Sequence, residues 1–289
     1  ERGGEHAALV DQLLLARRAP TTARIVGITG APGAGKSTLV GALADLLLAQ
    51  RRRPAALAVD PTSPISGGAI LGDRVRMDRP REPTAFVRSV ASRGAHGGLA
   101  ASVPAMLRVL EAVGHDVVIV ETVGVGQAEL DVAALAGTTV VVVTPGWGDA
   151  LQARKAGLFE VADVLVVNKA DRPGADDAAR DLERMLDEAP TTGEGWRPPV
   201  VRTVATVPSG VDLLLDAIER HGAHVETTDA SHAARARARV EIRALIEQEV
   251  ARALDAQAWV LDAVVRGELN RREAVQQVLR GLGERTPAT

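Results

Sequence analysis

A chain of 289 residues with 46% hydrophobic side chains and a net charge of −3 is long enough for one large α/β domain, an appendage and a sizeable core. A sequence pI near 6.1 leaves no overall basic field to recruit nucleic acid or an anionic membrane. The absence of cysteine excludes disulfides and thiolate metal sites within this chain and suits the cytoplasm, and no apolar run approaches the ~20 residues of a bilayer span.

Residues 1–23 read as an N-terminal helical segment. The first residue is not Met, which points to a trimmed end, and Leu13-Leu14-Leu15-Ala16 is too short for a signal-peptide core. From residue 24 to 222 strand and helix patterns alternate. Arg24 to Thr29 reads as a buried strand, a glycine-rich turn follows, and Lys36 to Gln50 has the pattern of an amphipathic helix. Further strands are expected at Ala55 to Asp60, Thr84 to Val90, Asp116 to Glu121, Thr138 to Thr144, Asp163 to Asn168 and Val200 to Ala205. Most are continuous β-branched runs, as in strands covered on both faces of a parallel sheet. Helical patterns at Gly98 to Val113, Ala175 to Glu188 and Val211 to Arg220 separate several of them. The order predicts a doubly wound, mostly parallel α/β sheet that takes its ligand at the carboxyl ends of the strands. After residue 222 only helical patterns remain, at Ser231 to Leu254, Asp255 to Val265 and Asn270 to Leu282, with Gly267 as the break between the last two. Residues 24–222 thus read as one domain and 223–289 as a helical extension that must pack on it or on another subunit. His221 and His224, where a helix is expected to run into a polar loop, read as a solvated pair, and the Ala/Arg-rich run 233–239 reads as a solvated helix face.

The turn Gly30-Ala31-Pro32-Gly33-Ala34-Gly35-Lys36-Ser37 completes the pattern G-x-x-x-x-G-K-[ST] between a strand and a helix, the context that a phosphate cradle requires. Glycines let the backbone curl until successive N–H groups and the helix N-terminus, with Ser37 and Thr38 in its first turn, face the phosphates. Lys36 would reach the β and γ phosphates and the Ser37 hydroxyl would hold Mg²⁺. The chain therefore reads as a P-loop NTPase.

Asn168-Lys169-Ala170-Asp171 ends a strand with N-K-x-D. The Asp171 carboxylate can accept hydrogen bonds from N1–H and the exocyclic amino group of guanine, donors that adenine lacks, so GTP and GDP are the expected nucleotides. Asn168 would brace the loops, and the Lys169 stem would cover the base. Val204, Ala205 and Thr206, at the next strand end, would offer backbone N–H groups to the guanine oxygen; this assignment rests on position, since Val-Ala stands where Ser-Ala is expected.

Carboxylates that could hold the cation stand at Asp60 and Glu121, each at the end of a strand. Mg²⁺ takes oxygen ligands, so Ser37, Asp60 and Glu121 make a suitable set. Asp73 lies in the glycine-rich stretch 66–74, where a ligand and a plain surface acid are equally compatible with the residues. Glu121-Thr122-Val123-Gly124 has the form of a D-x-x-G switch with Glu for Asp, and the Gly124 amide could bind the γ-phosphate and release it on hydrolysis.

The runs GITGAPGAGKST, AVDPTSP, GGAILGDRVRM, VRSVASRGAHGGLA, VIVETVGVGQ and NKAD, in this order, resemble the MeaB/ArgK family of G-protein chaperones of methylmalonyl-CoA mutase. The resemblance covers residues 24 to 222 and, more loosely, the helical tail. It implies a homodimeric GTPase of the signal-recognition and metallochaperone class, with 24–222 as the GTPase domain and 223–289 as a dimerisation arm. Such a protein gates the loading of adenosylcobalamin into the mutase and protects that enzyme. The resemblance also puts Lys36, Asp60, Asp73 and Glu121 on Mg²⁺ and hydrolysis positions, and Pro145 to Gly157, with Gly148, Asp149, Gln152 and Lys155, on a segment that transmits nucleotide state. The short N-terminal region and the Val204-Ala205 variant depart from the family pattern. Two other readings are an ATPase or kinase serving an arginine/ornithine transport system, and a nucleotide-gated scaffold for another cobalamin or metal enzyme.

Overall fold

The computed structural model describes residues 23–60, 85–91, 103–122, 132–146, 160–188, 195–228 and 230–283. Seven strands, β1 (Arg24–Gly30), β2 (Pro54–Asp60), β3 (Phe86–Ala91), β4 (Val117–Thr122), β5 (Thr138–Val143), β6 (Val164–Asn168) and β7 (Val200–Thr203), form one sheet in the order β3-β2-β4-β1-β5-β6-β7. Every pairing is parallel. From β1 the chain moves outward to β2 and β3, and from β5 it moves outward the other way to β6 and β7. The carboxyl ends of the neighbours β1 and β5 therefore flank a crevice, the place where such sheets bind ligands.

Strand alternation sorts the core onto two faces. Val26 and Ile28 of β1 and Val140 and Val142 of β5 pack with Leu39, Val40, Leu43 and Leu47 of α1 (Lys36–Ala49) and with Leu214 and Ile218 of α4 (Val211–Thr228). On the other face Val141, Val143, Leu165 and Val167 meet Ala175, Ala179 and Leu182 of α3 (Ala175–Glu188). Helix α2 (Val103–Ala112) buries Val103, Leu107 and Leu110 between β3 and β4 in the chain. Gly27 lets a short helical turn at 132–135 lie against β1, because a Cβ there would stand 2.8 Å from Val132 Cγ1.

The histidine expectation is corrected. Helix α4 does not end at Arg220 but runs on to Thr228, and His221 is buried within it. His221 Nδ1 and Thr138 Oγ1 share a hydrogen bond of 2.9 Å, and its Nε2 lies 3.2 Å from Asp163 Oδ1. Asp163 also accepts from the Thr139 amide at 2.7 Å, while Trp196 donates to its carbonyl and packs its indole on both His221 and His224. This cluster ties α4 to the amino-terminal ends of β5 and β6, the sheet edge away from the phosphate loop.

Burial pushes the Asp163 carboxyl up to about 7 against the pull of the Thr139 amide. Burial, with the charges of His224 and Arg24, pushes His221 down to about 4. Against ordinary values of 3.8 and 6.5, the raised carboxyl and the depressed imidazole act on the pH dependence of stability in opposite directions, and in the intact pair the two offset each other. His221→Gln leaves only the raised carboxyl, which binds its proton more tightly folded than unfolded, so stability should fall from pH 4 to 7. Asp163→Asn leaves only the depressed imidazole, and stability should rise from pH 4 to 6.5. Either slope is at most ~1.4 kcal/mol per pH unit. Urea midpoints at pH 5 and 6.5 check this; slopes of the same sign in both variants would exclude the coupled pair.

The chain divides into two compact units, Glu1–Arg237 and Ala238–Thr289, with the division inside α5 (Ala230–Ala256). In the second unit the last turns of α5 join α6 (Trp259–Val265) and α7 (Arg271–Gly283) around Ala253, Val260, Ala274 and Val278. The break before α7 is set by Gly267, at φ 76°, and by a capping box. Asn270 Oδ1 accepts from the amides of Arg272 and Glu273, and Glu273 Oε2 accepts from the Asn270 amide. Among the described residues no helix is long and apolar enough to cross a membrane.

Candidate functional site: a phosphate loop braced by the N-K-x-D strand end

The loop from Gly30 to Lys36 joins β1 to α1 at the crevice. Gly30, Gly33 and Gly35 all have positive φ, at 137°, 77° and 87°. Two of them are also required by contact. A Cβ on Gly30 would stand 2.1 Å from the Val142 carbonyl oxygen, and one on Gly35 would stand 2.5 Å from Asn168 Nδ2. The left-handed Gly35 caps α1 without a side-chain hydrogen bond, which leaves the first-turn amides to an oxygen anion. Pro32 and Gly33 are exposed at the tip, Ala34 is buried beneath it, and Thr38 is exposed one residue beyond Ser37.

Lys36 is buried, and its Nζ donates to the carbonyls of Gly30 at 2.7 Å and Ala31 at 3.1 Å. A lysine folded along its own loop is already aimed at the region that the loop encloses. Ser37 Oγ donates to Glu121 Oε1 at 2.6 Å, and Glu121 is itself buried at the end of β4. The strand register pairs Glu121 with Ile28 of β1 and with Ala58 of β2, and so brings the carboxyl end carrying Asp60 alongside. A hydroxyl and a carboxylate in contact are oxygen donors of the kind that Mg²⁺ prefers, and they fit that ion. The Asp60 side chain, Asp73 and Gly124 lie outside the described residues, as does the segment 147–157 that follows Pro145 and Gly146.

The N-K-x-D strand end is attached directly to this loop. Asn168, buried at the end of β6, donates from Nδ2 to the Ala34 carbonyl at 2.9 Å. Its Oδ1 accepts from Thr203 Oγ1 at 3.1 Å and from the Ala205 amide at 3.3 Å. Lys169, held at φ 58°, reaches across to donate to the Gly33 carbonyl at 2.7 Å. Asp171 follows on an exposed turn. Val204 bridges Ser209, which closes 204–209 into a tight turn with Thr206 exposed on it, while the Ala205 amide is turned toward Asn168.

The family model described as methylmalonyl-CoA mutase-associated GTPase MeaB matches residues 1–258. The chain belongs to the MeaB family of GTPases. Two relatives and one solved structure agree with that. A Pyrococcus horikoshii protein with a provisional GTPase name is 44% identical over 257 residues, 86% of this chain and 80% of that protein. The GTPase ArgK of Escherichia coli is 41% identical over 230 residues, 75% of this chain and 67% of ArgK. The crystal structure of a LAO/AO transport system kinase superposes with a TM-score of 0.67 at 30% identity, covering 97% of this chain and 88% of that one.

Membership in the MeaB family gives the loop and the N-K-x-D strand end a common setting, a P-loop GTPase fold. What the motifs alone do not reveal are the threonine contacts that support them. Thr203 supports Asn168, and Thr29 and Thr122 are paired by a 3.1 Å hydrogen bond beneath the loop. The available signal was a lone threonine near the end of each of three strands, which becomes informative only when the neighbouring strand is known.

Proposed function

We propose that this chain binds GTP through the loop 30–38 and the N-K-x-D end, hydrolyses it with Mg²⁺, and so gates and protects a methylmalonyl-CoA mutase during adenosylcobalamin loading. The observation that carries the nucleotide half is the Ser37–Glu121 hydrogen bond of 2.6 Å beside a buried Lys36, which gathers a cation's oxygen donors and a fixed positive charge at one loop. In this reading the loop amides and Lys36 meet the phosphate oxygens, Ser37 and Glu121 hold the cation with Asp60 and Asp73, and Gly124 senses the γ-phosphate. Mg²⁺ held there would supply neutralisation of the phosphate charge. Asp171 accepts from the guanine edge, and Val204 to Thr206 line the other side of the base.

The partner half is supported by the family's own description, which names the mutase. The decisive measurement is GTP and ATP turnover of the purified chain with and without the mutase; GTP-selective turnover that the mutase alters is expected. Equal use of ATP would favour the second reading, a transport-associated kinase, which is what the solved relative is called. The same proposal makes 223–289 the arm of a cytoplasmic homodimer, supported by exposed Ile242, Leu245 and Ile246 on α5 and Val275 and Leu279 on α7.

The chain after β5 is the proposed transmitter. Pro145 and Gly146, the latter at φ 76°, form a turn after β5 and precede in sequence the segment with Gly148, Asp149, Gln152 and Lys155. Gln152→Ala combined with Lys155→Ala is expected to keep basal turnover within about threefold of wild type and to remove most of the mutase response. Full stimulation in the double variant would assign the transmission elsewhere.

A further inference from the structure

We propose that Thr122 is a positioning residue for GTP hydrolysis: with Thr29 it pins the point where β1 and β4 part, and through that point it holds Glu121 against Ser37. The β1–β4 ladder runs from Arg24 opposite Val117 to Ile28 opposite Glu121 and ends there. One residue further on, Thr122 Oγ1 donates to Thr29 Oγ1 at 3.1 Å, so side chains take over the pairing where the backbones leave it. Beyond this point β1 follows β5 as far as Gly30 opposite Val142, and β4 follows β2 as far as Thr122 opposite Val59. The sheet forks between β1 and β4, with the phosphate loop on one arm and Glu121 on the other.

Both threonines are buried, at 0% and 1% exposure. Two valines would fill the same space without desolvating two hydroxyls, so shape alone does not call for this pair. What the hydroxyls add is a directional bond that sets the separation of the strand ends. Alternation places Glu121 on the face of α1, where it meets Ser37, and Thr122 on the opposite face with Thr29 and Gly27, toward the turn at 132–135. Thr122 therefore acts on Glu121 through the backbone. A shift of a few tenths of an ångström at the fork would be carried straight into the Ser37–Glu121 contact, and catalytic geometry is sensitive on that scale.

The proposal rests on the reading of Glu121 as part of the hydrolytic site, and the test separates the two. Thr122→Val leaves the Thr29 hydroxyl buried without its partner, whereas Thr29→Val with Thr122→Val replaces both hydroxyls by apolar groups of the same shape. Thr122→Val is expected to lower kcat about tenfold with KM for GTP within about twofold, and Thr122→Ser to restore most of the loss. The double variant is expected to regain the wild-type urea midpoint while kcat stays low. Turnover that recovers together with stability would show a merely structural role and overturn the proposal, as would a wild-type kcat in Thr122→Val. Glu121→Gln is assayed alongside. If it hydrolyses GTP normally, the reading of the site has failed; if it is inactive while Thr122→Val is unaffected, only the positioning role has.

Discussion

Lys36→Ala is expected to lower GTP turnover by about a hundred- to a thousandfold, the loss typical of removing one preorganised charge from a developing anion. The side chain is placed for this by its own loop, with Nζ 2.7 Å from the Gly30 carbonyl oxygen and 3.1 Å from that of Ala31. Those bonds hold the ammonium inside the curl of the backbone, so little reorganisation is needed when phosphate oxygens arrive. The substitution also removes two hydrogen bonds worth ~1 kcal/mol each, a loss that a domain with this core should survive. A circular dichroism spectrum and thermal midpoint would establish that the variant is folded, and a single-turnover assay would then read the chemistry. Turnover within threefold of wild type in a folded variant would remove the loop from the mechanism.

The second large effect is on base selection. Asp171→Asn replaces a double acceptor by an amide with one acceptor and one donor, so guanine loses a hydrogen bond and meets a donor against its own. Xanthine, which carries a carbonyl in place of the exocyclic amine, gains what guanine loses. A site built for hydrogen bonds can discriminate by about 10⁴, so the preference for GTP over XTP should fall by several orders of magnitude and can reverse. Competition of XTP against a fluorescent GDP analogue measures this directly. An unchanged preference would mean that the exposed turn at 171 does not face the base.

Much of the fold was legible because strands buried on both faces carry their signal locally. The valine runs of β5 and β6 and the span of α3 from Ala175 to Glu188 were read to within a residue of their ends. Helix α4 was read too short for a reason that lies elsewhere in the chain. His-Gly-Ala-His looks like a helix end, yet His221 is buried by Thr138, Asp163 and Trp196, and Gly222 stands where a Cβ would meet Arg24 Cζ at 2.5 Å. The helical pattern from Asp255 likewise missed the turn at Gln257 and Ala258, after which α6 begins at Trp259. The motifs of the candidate site were legible as short words. The bonds between words, Asn168 to Ala34, Lys169 to Gly33 and Thr122 to Thr29, join residues 93 to 136 positions apart and have no local signature.

The Asn168 amide reaches three places at once: the carbonyl of Ala34, the hydroxyl of Thr203 and the amide of Ala205. If the strand end beside it reads the base, the reader and the phosphate grip are parts of one stiff bracket. A base that fits poorly would then tilt the bracket and displace the loop, so a mismatched nucleotide would be penalised in kcat as well as in affinity. Fidelity in such a protein would be set by the alignment of the bound triphosphate, and would persist at nucleotide concentrations high enough to saturate the site.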